Sequence, residues 1–304
     1  MTAVPADLHL VPRPRLRDLE TVVAAPGAGP GFWAGGPSAV TADGVIHLAY
    51  RLRRPLGDGR GYANVIASSR DGVHFDTVSV LERDAFGAES LERPALVRRP
   101  DGGWRIYVSC ATPGSLHWWV DAIDADDPSA FDPARRVTVW AGDAATAVKD
   151  PVVKVVDGIW HAWPCVHEIS DPASGDRMHS AYCTSHDGLT WDWHGPALAG
   201  RSGAWDERGT RVAEVLWRGD TVVAFYDGRA TAAQNWEEET GIAAGTPGSL
   251  AALGDAPELV SPETGTGLRY VTAVELGEGA WRFYYEVTRS DGAHDLRTEY
   301  SPAP

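Results

Sequence analysis

A strand–turn–strand pattern recurs five times along this chain at nearly constant spacing, and few folds can accommodate that. Each copy has a short strand entered through a proline, an arginine or a small residue. A polar hairpin turn follows, then a second strand rich in aromatic residues. The copies begin at Gly36-Pro37-Ser38, Arg93-Pro94-Ala95, Asp150-Pro151-Val152, Thr210-Arg211-Val212 and Arg269-Tyr270-Val271. Pro37, Pro94 and Pro151 fall at equal intervals, and Arg211 and Tyr270 continue the series with intervals only two or three residues longer. A strand-built repeat of roughly 60 residues indicates radial repetition with one four-stranded sheet per repeat. The spacing therefore predicts an all-β, five-bladed β-propeller of one domain. Its blades start near residues 36, 93, 150, 210 and 269, the propeller spans 32–304, and a leader over 1–31 packs on it.

Turn chemistry agrees with this reading. Asp43-Gly44 and Asp157-Gly158 are strong hairpin signals between alternating strands. Ser69-Arg70-Asp71-Gly72-Val73-His74-Phe75 and Ser185-His186-Asp187-Gly188-Leu189-Thr190-Trp191 share the pattern S-x-D-G-x-x-aromatic, echoed at Ser290-Asp291-Gly292. These aspartates read as turn formers and the aromatics as plugs between blades. Helical signals are weak. The segment 231–240 reads as a short helix or a loop over the top, and 247–253 as a similar short helical candidate.

Composition narrows the function classes. A net charge of -15 argues against nucleic acid, which demands clustered Lys and Arg. The short basic runs Arg13-Pro14-Arg15-Leu16-Arg17 and Arg53-Arg54 read as solvated surface. The N-terminus has neither a basic region nor a long apolar stretch, so no signal peptide is expected, and no run of about 18 apolar residues suggests a membrane span. Cys110, Cys165 and Cys183 are widely spaced and read as buried free thiols, which fits a cytoplasmic protein. The histidines lack metal-binding spacing, so neither a metal nor a cofactor is expected. Thirteen tryptophans suit both strand packing and stacking on sugar faces. Trp33, Trp118, Trp119, Trp163 and Trp236 fall at strand ends or loops, with Phe32-Trp33 the preferred sugar-facing pair.

In a propeller the residues entering the innermost strands converge at one end of the axis. Here that set is Gly36, Glu92 with Arg93, Asp150, the segment from Asp206 to Arg211, and Arg269. Arg51, Asp227, Arg229 and Glu286, at the ends of second strands, form an outer ring. At these residues the sequence resembles the five-bladed β-propeller glycosidases: the β-xylosidase/α-arabinofuranosidase, invertase and mannoside-phosphorylase families. The resemblance is carried by the Pro- or Arg-started strands, the Lys149-Asp150-Pro151 box and the Ser-x-Asp-Gly turns.

The resemblance implies a carbohydrate substrate and carboxylate chemistry. In the arabinofuranosidase-like members an Asp in the first blade is the general base, an Asp in a D-P box tunes it, and a Glu in the following blade is the general acid. Asp150 matches the D-P box, and Glu207, or else Glu214, lies in the blade of the acid. Gly36-Pro37 stands where the base is expected, which passes that role to Glu92 or Asp206. Trp33, Arg93, Arg211, Asp227 and Arg269 are the expected substrate contacts. Such a set would hydrolyse a glycosidic bond with one protonated and one ionised carboxyl group. Phosphorolysis, with arginines holding phosphate, and a non-catalytic carbohydrate-binding propeller are the alternatives.

Overall fold

The structure is a computed structural model and describes residues 12–303; residues 1–11 of the leader lie outside the described residues. Among the described residues there are twenty-one β-strands and a few 3-10 turns. Glu20–Val23 is β1. Four strands then form a first meander, β2 (Trp33–Ala42), β3 (Val45–Arg53), β4 (Gly61–Ser69) and β5 (Asp76–Glu82). In the second unit β6 (Ser90–Leu91) and β7 (Ala95–Arg98) both pair with β8 (Trp104–Ala111), followed by β9 (Trp118–Ala125) and β10 (Val137–Trp140). The third unit is β11 (Thr146–Val156), β12 (Ile159–Glu168), β13 (Met178–Ser185) and β14 (Asp192–Leu198). The fourth is β15 (Gly209–Arg218), β16 (Thr221–Arg229), β17 (Glu239–Thr246) and β18 (Ser249–Ala252). The last is β19 (Leu268–Gly277), β20 (Ala280–Thr288) and β21 (His294–Ser301), with β1 added antiparallel to β21 as its outer strand.

Backbone pairing joins these five units into three sheets, because single parallel bridges link Trp33 to His294 and Met178 to Gly209. Side-chain packing reveals the larger order. The first long strand of each unit touches that of the next: β2 meets β7, β7 meets β11, β11 meets β15, β15 meets β19, and β19 meets β2. The circuit is closed. The apolar core follows it as five main clusters, each shared by two neighbouring units. Leu81 and Ile66 pack on Leu96 and Ile106, for instance, while Trp163 packs with Val212 and Tyr226. Burial falls from the first strand of a unit to the fourth, so β2 is nearly covered and β5 mostly exposed.

The local signals form as their chemistry dictates. Asp43-Gly44 and Asp157-Gly158 close two-residue hairpins with both residues at positive φ, the geometry Asp-Gly favours. In the Ser-x-Asp-Gly turns, Ser69 and Ser185 each accept the N–H of the glycine and donate to the aspartate. Those turns also tie units together. Tyr284 donates to the carbonyl of Gly72, Tyr107 donates to that of Gly188, and Trp191 packs against Tyr107 and Trp140. The segment read as a second helical candidate is instead the edge strand β18, because Ser249–Ala252 finds an antiparallel partner in β17.

Candidate active site

At the entrance of four inner strands the ladder slips by one or more residues, between Gly35 and Ser38, Lys149 and Val152, Val212 and Glu214, and Arg269 and Thr272. A bulge bends its strand and re-aims a side chain. Gly36, Asp150 and Tyr270 all take left-handed backbone there, with φ of 60, 49 and 57. For a tyrosine this costs about 1–2 kcal/mol, so the surroundings must hold it.

Asp150 supplies much of that hold. Its carboxylate accepts the Arg93 N–H at 3.0 Å, an Arg211 guanidinium N–H at 3.3 Å and the Tyr270 hydroxyl at 3.2 Å. Its own N–H donates to Ser109 at 2.8 Å. One carboxylate thus ties the second, fourth and fifth units to the third. It is fully buried and contributes nothing to the lining of the cavity above it. Arg211 stacks over Tyr270 at 3.9 Å from the ring centre and pairs with Asp227 at 2.8 Å.

Above this floor lies a cavity of about 250 Å³, just under the roughly 300–1,000 Å³ of drug-sized ligand pockets. Its walls include Trp33, Trp118 and Trp236. Its charge is opposite to that of the whole chain. The lining cations Arg51, Arg53, Arg60, Lys149, Arg211, Arg229 and Arg269 outnumber the lining carboxylates Glu92, Asp176 and Glu238.

Each of those carboxylates is held ionised. Burial alone would raise the Glu92 carboxyl, but Arg51, Lys149 and Arg60 outweigh it and hold it well below the ordinary range. Arg51 contacts it at 2.6 Å and Arg60 at 3.4 Å. Glu238 is likewise lowered against its burial by Arg269, Arg211 and Arg229, and Arg229 lies 2.7 Å away. Asp176 is lowered by the Arg208 hydrogen bond. Burial pushes the His167 imidazole down, so it is neutral. Among the described residues no group of three or more His, Cys, Asp or Glu is placed to hold a metal.

The residues singled out from sequence divide in two. Glu92, Trp33, Arg211 and Arg269 line the cavity, as do Arg51 and Arg229 of the outer ring. Asp150, Arg93 and Asp227 lie beneath or behind them. Arg93 donates to the carbonyls of Pro37 and Ala213, and burial pushes the Asp227 carboxyl up while Arg211 opposes it.

Glu207 and Asp206 do not join them. Asp206 is buried against Arg201 and accepts the Tyr226 hydroxyl. Glu207 accepts the Gly203 N–H and lines a separate cleft with Glu168 and His179. Of that segment Arg211 lines the cavity, while residues 204–209 form a hydrogen-bonded turn that keeps Asp206 on Arg201 and Tyr226 and Glu207 on Gly203. Glu214 is also elsewhere, paired with Lys154 at the other end of the inner strands.

The glycines at the first unit's entrance have a use. A side chain on Gly35 would occupy the place of the Glu286 carboxylate, and one on Gly36 would press on Arg93 at 3.3 Å. Sequence reasoning missed Glu238, Asp176 and Arg53. The first two sit on connecting loops with no motif. Arg53 shares a strand face with Arg51 by simple alternation, a signal the sequence does carry. The pair Arg53-Arg54, read as solvated, is split: Arg54 is exposed and Arg53 is buried.

No family model and no curated protein sequence matches this chain. Solved structures do. A structure from work on GH130 mannoside phosphorylases and glycoside hydrolases that target β-1,2 mannosidic linkages in Candida mannan aligns over 96% of both chains. Its TM-score is 0.66 at 16% identity. A glycosyl hydrolase from Bacteroides ovatus covers 99% of this chain and 95% of its own, with a TM-score of 0.63 at 14% identity. A β-1,2-mannobiose phosphorylase from Listeria innocua, in complex with β-1,2-mannobiose, gives 97% and 95%, a TM-score of 0.61 and 12% identity. At such identities the likeness speaks for the fold alone. This chain shares the fold of glycoside hydrolases and mannoside phosphorylases, the group its Lys149-Asp150-Pro151 box and repeated strands resemble.

Proposed function

We propose that the five units are the blades of a five-bladed β-propeller over 32–304, with the leader over 1–31 packing on it, and that the chain cleaves a glycosidic bond at one end of its axis. The observation that carries this reading is Glu92. It is a buried, ionised carboxylate facing a tryptophan-walled cavity. Glu92 activates the attacking water, Arg211 and Arg269 hold the sugar, Trp236, 40% exposed at the cavity wall, offers an apolar ring face in place of the buried Trp33, and Asp150, Arg93 and Asp227 position the floor. The carbohydrate ligand is supported by the mannobiose held in the Listeria structure. A cytoplasmic site of action rests on the free thiols Cys110, Cys165 and Cys183.

The leaving group needs a proton, and no lining carboxyl keeps one at neutral pH. Turnover should therefore depend steeply on the leaving group. Nitrophenyl glycosides, which depart with little protonation, are expected to react at least ~100-fold faster than alkyl glycosides, the scale of lost general-acid assistance. Equal rates would mean that a poised acid exists.

The surplus of cations favours a second reading, in which phosphate replaces water and arginines bind it. A panel of nitrophenyl glycosides and β-linked oligosaccharides, run with and without phosphate, decides between them. Release of free sugar without phosphate supports hydrolysis, and phosphate-dependent release of a sugar phosphate supports phosphorolysis. Binding with no cleavage of any kind would leave a non-catalytic carbohydrate-binding propeller.

A further inference from the structure

Six of the seven cationic side chains lining the cavity have a carboxylate within ion-pair reach. Arg53 has neither a hydrogen bond nor an ion pair among the described residues, although it is only 4% exposed. Trp33 opposes it across the β2–β3 ladder, and the guanidinium sits 3.8 Å from the centre of the Trp33 ring and 4.8 Å from that of Trp236. His294 stacks on Trp33 at 4.6 Å, completing a fixed pile of rings under the guanidinium.

Burying a cation without a counter-charge is costly, and aromatic faces return only about 0.5–2 kcal/mol. Burial accordingly lowers the Arg53 pKa to about 9, against the pull of Glu92. Glu92 is not its partner: its ion pairs are with Arg51 and Arg60, and Arg53 forms neither a hydrogen bond nor an ion pair with it. The chain thus maintains an unmatched positive fork at the wall of its cavity.

We propose that the partner of Arg53 is a carboxylate carried by the sugar, so that the substrate is an acidic, uronate-type glycan. A guanidinium edge and a carboxylate match as two parallel N–H···O bonds. The flanking indoles choose between sources of oxyanion. Trp33 is covered by Arg53 and His294, so a ligand at the Arg53 fork meets the exposed Trp236 ring, and a pyranose has an apolar face for that contact. Free phosphate has none. This inference rests on the carbohydrate reading above and narrows it to acidic sugars.

The test is direct binding, which needs no turnover. The intact protein is titrated with methyl glucuronide, galacturonide and mannuronide, with the three matching neutral methyl glycosides, and with inorganic phosphate. Calorimetry and tryptophan fluorescence report the binding, the latter because Trp33 and Trp236 flank the site. At least one uronide is expected to bind 10-fold or more tightly than its neutral counterpart. Arg53→Gln should abolish that difference and Arg53→Lys should keep part of it, with circular dichroism confirming the fold.

Equal binding of charged and neutral partners by the wild-type protein overturns the inference, even if neither variant folds. So does a uronide preference that survives in folded Arg53→Gln. Arg53-dependent binding of phosphate with no uronide preference also overturns it and assigns the site to a co-reactant. A protein that prefers uronides yet cleaves nothing loses only the proposed reaction. One that cleaves neutral glycosides without any uronide preference loses only this inference.

Discussion

Replacing Asp150 tests how the floor of the cavity is held. In Asp150→Ala, the Arg93 N–H and the Tyr270 hydroxyl lose a buried acceptor, and Arg211 keeps only Asp227. Removing one partner of a buried ion pair costs about 3–5 kcal/mol, and alanine tolerates the left-handed backbone at this position less well than aspartate. Unfolding entropy of about 2.1 cal/mol/K per residue, over 304 residues, converts that cost into a fall in Tm of about 5–8 °C. Asp150→Asn keeps one acceptor oxygen and tolerates the backbone, losing mainly a charge-assisted contact worth about 1.5–3 kcal/mol, or about 2–5 °C. Calorimetric melts of the three proteins at neutral pH measure both shifts. The reasoning fails if alanine costs less than ~1 °C, or if asparagine is the worse of the two, since either result would mean that this carboxylate ties nothing together.

Two further predictions follow from the same buried charges. Burial favours the protonated forms of Glu92, Glu238 and Glu286, but arginines outweigh it and hold all three below the ordinary value of 4.5. Depressed acids stabilise the fold above their unfolded pKa and lose that contribution as pH falls through the folded one. Tm should therefore begin to fall below about pH 6.5, where the unfolded chain protonates its histidines while buried His167 stays neutral, and fall more steeply below about 4.5 as the carboxylates protonate; a Tm that stays level down to about pH 4.5 would mean that His167 is not held neutral by the fold. Gly35→Ala should displace the Glu286 carboxylate from Arg51 and Arg269 and cost about 3–5 kcal/mol. Chemical denaturation measures that loss, and a change below ~1 kcal/mol would mean that Glu286 has room to move.

Local chemistry made much of this structure legible in the sequence. Asp157-Gly158 closes its hairpin and Ser185-His186-Asp187-Gly188 forms its turn through contacts within a few residues, so the repeat could be read without knowing what it packs against. Glu92 and Arg269 were found because they enter strands directly. Sequence spacing assigns Glu207 to a unit, but the backbone turn before Gly209 decides which way its side chain faces, and in the structure Glu207 bonds Gly203 while Asp206 bonds Arg201 and Tyr226. Asp176 and Glu238 come from loops held by Arg208, Arg229 and Arg269, partners far away in the chain. Arg53 was hidden by its neighbour, since Arg53-Arg54 looks like one surface pair until strand alternation separates them.

The most direct test of the central claim is product formation by the wild-type protein and by Glu92→Gln, followed by chromatography on the nitrophenyl glycoside panel. Glutamine preserves the shape of the side chain while removing its charge. The account predicts cleavage of at least one glycoside by the wild type and a loss of about 10²–10⁴-fold in the variant, the usual contribution of a general base, with the fold intact. Full activity in Glu92→Gln would contradict it.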